Sequence, residues 1–166
     1  MGLAHGTPMK THGGSYRGRG SSQFHFKKQN LNFLKFKNEH SDYGDSKINE
    51  IRQKYNLPLV AVHYRRTDYL HAHAEHIHGN LNKYGYYSNA FSMINDPVCY
   101  VIFSDDIAWC RDNVKLPNVE YIDADEYKSL YMMTKCDRNI IANSTFSWWG
   151  AFMNPNAKVY APDKWG

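Results

Sequence analysis

The sequence has 166 residues and six prolines, which suits one compact domain with a real hydrophobic core and leaves no room for a second. Lysine and arginine number 20 against 16 acids, a net charge of +4 that leans toward anionic ligands without naming one. No apolar run reaches membrane-spanning length and the amino terminus lacks the apolar core of a signal peptide. The cysteines Cys99, Cys110 and Cys136 are odd in number without a CxxC spacing, so neither a disulfide framework nor a zinc site is implied. They read as buried free thiols of a reducing compartment, and the chain is expected to be cytoplasmic.

Residues 1–29 carry six glycines among serines, histidines and basic side chains with almost no aliphatic residues, a composition that buries too little to offset the entropy of ordering it. Disorder is expected there. One Arg17-Gly18-Arg19-Gly20 unit is too little to predict a nucleic-acid partner. Residues 30–56 form a lead-in in which 46–55 has helical spacing, with Ile48, Ile51 and Tyr55 on one face and Asp45 or Ser46 as cap.

The Rossmann-like domain is expected over 57–166. Leu57-Pro58-Leu59-Val60-Ala61-Val62 reads as a buried strand, and it delivers His63-Tyr64-Arg65-Arg66-Thr67-Asp68-Tyr69 at its carboxyl end. Two adjacent guanidinium forks suit a diphosphate or carboxylate, although a solvated loop paired to Asp68 would carry the same residues. His71, His73, His76 and His78 follow in a segment that reads as a loop near an acceptor site, with a metal site as the alternative. A helix over 84–94 packs Tyr87, Phe91 and Ile94, and stops before Pro97.

The second strand, 98–103, delivers Ser104-Asp105-Asp106 at the start of a short helix. Ser104 or Asp105 serves as a helix cap, as a ligand contact, or as both. Strands are expected over 119–122, 139–142 and 157–161, and a helix over 124–135 with Tyr127, Leu130, Tyr131 and Thr134 inward. The fourth strand leads to Asn143, Ser144, Thr145 and Ser147 at a helix start near Phe146, where hydroxyls cap the helix or meet an anion. Trp148, Trp149 and Phe152 are assigned to core packing. Alternating strands and helices with polar residues at successive strand ends specify a parallel α/β sheet.

In order, HYRRTDY, FSDDIAWC, NSTFSWWGA and YAPDKW resemble the α-1,2-fucosyltransferases of glycosyltransferase family eleven, over about two thirds of the chain. The resemblance implies a GT-B enzyme whose carboxyl-terminal half binds GDP-fucose and transfers fucose, with inversion, to the 2-hydroxyl of a terminal galactose on a glycan. It implies Arg65, Arg66 and Asp68 as catalytic residues, with Asp68 holding the arginines or helping to remove the acceptor proton. His63 would lie against the nucleotide or orient an arginine, and Asp105 or Asp106 would read guanine. Ser144, Thr145 and Ser147 would contact phosphate or ribose, with Ser104 and Asn143 completing the donor site. No metal or other cofactor is implied.

The family's glycine-rich GxLGNQ motif is absent, so the chain is expected to be partial or divergent. A non-catalytic GDP-sugar or anion-binding module is the alternative. For a fragment of a eukaryotic enzyme, the resemblance implies a Golgi membrane location, with the membrane association in an amino-terminal region outside this sequence.

Overall fold

The computed structural model describes residues 21–24, 35–67, 81, 85–154 and 157–163. Its chain order is β1 (Ser21–Phe24), α1 (Asn38–Tyr55), β2 (Leu59–Tyr64), α2 (Tyr86–Ser92), β3 (Cys99–Ser104), α3 (Ile107–Asn113), β4 (Val119–Tyr121), α4 (Glu126–Met133), β5 (Arg138–Ile140), α5 (Thr145–Phe152) and β6 (Lys158–Pro162). The sheet runs β1-β6-β5-β2-β3-β4. Strands β2 to β6 are parallel, and β1 joins β6 antiparallel at the edge. The expected parallel α/β sheet is therefore present.

From β2 the chain winds outward through β3 and β4, then returns to place β5 on the other side of β2 and continues to β6. This reversal makes a topological switch point between β2 and β5, and in open α/β sheets ligands bind outside the carboxyl ends of the strands there.

Alternation along the strands builds both faces. Val60, Val62, Tyr64, Tyr100 and Ile102 pack with Tyr86, Tyr87 and Ala90 of α2 and Cys110 of α3. Leu59, Ala61, Cys99, Val101 and Phe103 point the other way, against Ile48 and Ile51 of α1, Met132 and Met133 of α4, and Phe146 of α5. Met132 and Met133 are fully buried, each such side chain contributing about 1.5–3 kcal/mol. β2 is buried at all six positions, as a central parallel strand must be.

Several boundaries differ from expectation for local reasons. The first parallel strand starts at Leu59, whose backbone N–H donates to the Asp137 carboxylate at 2.7 Å, and it runs through His63 and Tyr64. Helix α1 begins eight residues before the expected start, so neither Asp45 nor Ser46 caps it; Asp45 instead accepts from the Tyr131 hydroxyl at 2.7 Å. It ends at Asn56, whose left-handed φ of 50° lets its N–H reach Arg52 O at 2.8 Å. Ser21–Phe24 lies within the segment expected to be disordered, yet it pairs with β6 from Ser21↔Pro162 to Phe24↔Val159.

Two side-chain assignments are also corrected. Tyr127 is 57 % exposed and does not face inward. Trp149 is 39 % exposed, and the residues α5 buries are Ser147, Gly150 and Ala151. Trp148, Trp149 and Phe152 cluster on the opposite side of that helix, Trp148 and Phe152 stacked nearly parallel at 4.7 Å and Trp149 edge-on to both.

Gly44 in the middle of α1 marks the closest approach to α4. A Cβ there would fall well inside van der Waals contact distance of Tyr131 Cδ1 and lie 3.3 Å from Met132 Cγ. Alanine gains about 1 kcal/mol of helix propensity over glycine, but overpacking against a ring held by Asp45 costs about 1–3 kcal/mol. Gly44→Ala is expected to lower stability by about 1 kcal/mol in a denaturant melt; a stabilised variant would contradict this packing.

Candidate functional site

The site is assembled by strand register. β2 and β3 are paired with His63 beside Phe103 and Tyr64 beside Ser104, so the next step along each chain sets Arg65 beside Asp105. Pairing of Val62 with Ile140 brings the Asn143-Ser144 turn to the other side of the same strand end. Two tyrosines of α2 fix this rim: the Tyr87 hydroxyl donates to His63 O at 2.7 Å, and the Tyr86 hydroxyl to Ile141 O at 2.6 Å and Tyr160 O at 3.0 Å.

The two arginines have different surroundings. The Arg66 side chain is 10 % exposed; its guanidinium lies 3.4 Å from the Trp109 ring centroid and its Nε contacts Asp106 Oδ2 at 3.3 Å. The Arg65 side chain is 33 % exposed, with Nη1 3.5 Å from Asp105 Oδ2. Arg65 is therefore the more accessible fork, whereas Arg66 is packed into the wall behind it.

The double aspartate is occupied within the chain. Asp105 accepts from Arg66 N at 2.9 Å, Thr67 N at 3.0 Å and the Thr67 hydroxyl at 2.6 Å. Burial pushes its carboxyl up, but the Thr67 hydroxyl, the two backbone N–H groups and Arg65 together hold it below the usual carboxylate value. Asp106 caps α3 by accepting from Trp109 N at 3.2 Å, and its own N–H donates to Ser104 Oγ at 3.0 Å. The cap is thus Asp106, in place of the expected Ser104 or Asp105.

On the other side of β2, Ser147 is fully buried and its Oγ accepts from Ala142 N at 3.0 Å. The hydroxyl fastens the turn from β5 into α5. Ser144 is the α5 N-cap but makes no side-chain cap bond, leaving the first amides of an eight-residue helix for an external acceptor. Asn143 is 4 % exposed beside it, and Thr145 is exposed at the first helical position. Asp68 and the four histidines of 71–78 lie outside the described residues.

His63 sits between these two halves. It is 3 % exposed, its ring centroid is 5.2 Å from that of Phe146, and its Nδ1 has no hydrogen-bond partner among the described residues. Burial pushes the imidazole down to about 4, opposed by Asp105 and reinforced by Arg65, so it is neutral at physiological pH. Thr67, Trp109 and Phe146 were not singled out from sequence. Trp109, three residues after a capping Asp106, was the one with a signal, since that spacing returns its side chain to the first turn of α3.

The unfolded imidazole titrates near 6.5, so between about pH 6.5 and 4 the unfolded chain binds more protons. The stability from neutral His63 is complete above about pH 6.5 and declines as pH falls toward 4. From about pH 7 to about pH 5, His63 accounts for a loss of about 2 kcal/mol. Urea melts at the two pH values should show His63→Gln losing about that much less than the parent chain; equal losses would contradict a buried neutral imidazole.

The profile of glycosyl transferase family 11 matches residues 21–164. An Escherichia coli "O-antigen biosynthesis glycosyltransferase WbnK" is 36 % identical over 66 % of this chain and 40 % of its own length. An "Alpha-1,2-colitosyltransferase" from the same species is 35 % identical over 57 % and 36 %. The "Galactoside alpha-(1,2)-fucosyltransferase 2" of Rattus norvegicus is 29 % identical over 61 % and 31 %. The chain thus spans well under half the length of these relatives. Among solved structures, POFUT1 in complex with GDP-fucose superposes with a TM-score of 0.51 at 17 % identity, over 80 % of this chain and 49 % of that one, a likeness of fold. The extent of the profile match, from the edge strand β1 to just beyond β6, shows that this chain belongs to glycosyl transferase family 11.

Proposed function

We propose that this chain is the GDP-fucose-binding half of an α-1,2-fucosyltransferase of the GT-B type, acting on a galactose-terminated glycan. The observation that carries the reading is the convergence, at one switch point, of the Arg65 fork, the open amino terminus of α5 and the buried His63 Nδ1. These groups suit a diphosphate, and membership of family 11 supplies the sugar chemistry.

In the proposed reaction the bond from the fucose anomeric carbon to the β-phosphate oxygen breaks as the galactose 2-oxygen attacks from the opposite face. The electron pair leaves with GDP and the acceptor proton passes to a base. Negative charge grows on the β-phosphate, so a preorganised cation and backbone N–H donors contribute most there. Arg65 supplies the cation; the first amides of α5, with Ser144 and Thr145, supply donors; neutral His63 supplies a hydrogen bond without adding charge. Arg66, stacked on Trp109, holds the wall, and Asn143 lines the turn beside it. Asp68 keeps its proposed part in holding the arginines or taking the proton. Donor recognition without turnover is a second reading, favoured by the 40 % of the WbnK length that the chain covers. A product assay with GDP-fucose and lactose separates the two.

No metal is proposed, because the arginine fork provides the positive charge a divalent ion would otherwise bring. EDTA should leave GDP affinity unchanged by calorimetry; loss on chelation with recovery on added zinc would reassign the histidine segment. Arg65→Lys replaces a planar fork by a point charge and is expected to weaken GDP binding about ten- to a hundredfold. Arg66→Lys, by losing the Trp109 stack, should act mainly on the melting temperature. GDP affinity untouched by Arg65→Lys would remove the proposed donor site.

A further inference from the structure

A single carboxylate organises the arginine loop. Asp105 Oδ1 accepts from Arg66 N, and Oδ2 accepts from both the backbone N–H and the hydroxyl of Thr67, while Arg65 Nη1 lies 3.5 Å from Oδ2. Three successive residues beyond the end of β2 are thus held by one side chain beyond the end of β3. The two backbone bonds fix the path of the chain, and that path determines where the Arg65 side chain departs. Nothing else among the described residues accepts from the backbone N–H groups of Arg66 and Thr67.

The charge balance makes this arrangement informative. Arg65 and Arg66 are matched by Asp105 and Asp106, so these four side chains sum to zero charge. A carboxylate beside a diphosphate site is unfavourable by Coulomb's law alone. It is compatible with the site because its oxygens are turned onto loop donors. We propose that Asp105 is a positioning residue: it acts on the donor through the 65–67 loop and does not read the base. This rests on the donor-site reading given above and departs from the guanine-reading assignment that the family resemblance implies for the same residue.

The three possible roles differ in sign and ligand dependence. Removing the charge with Asp105→Asn should tighten anion binding if electrostatics dominate. It should weaken GDP alone if Asp105 reads guanine. It should weaken GDP and inorganic pyrophosphate by the same factor if Asp105 positions the loop. The test is calorimetric titration of the folded parent chain, Asp105→Asn and Thr67→Val with GDP, with pyrophosphate measured by its competition against GDP and melting temperatures taken in parallel. We expect Asp105→Asn to weaken both ligands about tenfold or more, and Thr67→Val, which loses only the hydroxyl bond, to weaken both by a smaller shared factor. Should Asp105→Asn fail to fold, Thr67→Val decides. Pyrophosphate affinity unchanged or increased per folded molecule would overturn the proposal. A folded parent chain that binds no GDP would instead overturn the donor-site reading, and this inference with it.

Discussion

The arginine and aspartate contacts at the candidate site depend on the parallel register of β2 with β3. With Tyr64 beside Ser104, the arginine loop and the double aspartate leave adjacent strands at the same level, and the Asp105 carboxylate reaches the loop's own N–H groups. A slip of one residue would turn His63 and both core faces of β2 over, because side chains alternate along a strand. The register is held strongly for that reason: β2 is buried on both sides, so any slip exchanges the aliphatic residues of two separate cores. Packing energy thereby sets the position of charged groups that contribute little to it.

The same economy explains why two adjacent arginines do different things. Successive side chains of an extended segment leave in opposite directions, so Arg66 falls on the α3 side, over Trp109, while Arg65 turns toward the cleft and His63. A guanidinium is weakly hydrated and planar, so it lies flat on the indole where an ammonium would meet the ring only as a point charge. Burying one arginine in the wall stiffens the segment from which the other is presented.

Strands β2 and β3 were legible as aliphatic runs, and the end of the sheet that carries the site followed from polar residues at their carboxyl ends; the switch point itself needed the strand order. The register was not legible, since nothing local specifies which residue of β3 faces Arg65; the internal use of Asp105 and Ser147 was hidden for the same reason. β1 was missed because a polar four-residue segment carries no pattern of its own and takes its conformation from an edge of β6 far along the chain. Trp149 was misplaced because aromatic composition alone does not say which face of α5 turns inward, and here small residues, Ser147, Gly150 and Ala151, allow the helix to sit close to the sheet and α4.

The central claim is that a nucleotide diphosphate occupies the switch point at the carboxyl ends of β2 and β5. Mapping backbone amide shifts by NMR during a GDP titration tests it most directly. The account predicts shifts concentrated at Arg65, Arg66 and Thr67 and at Ser144, Thr145 and Phe146, saturating together. Saturating GDP that leaves these amides unmoved, or that moves instead those around Arg52 and Asp137 at the amino ends of β2 and β5, would contradict it.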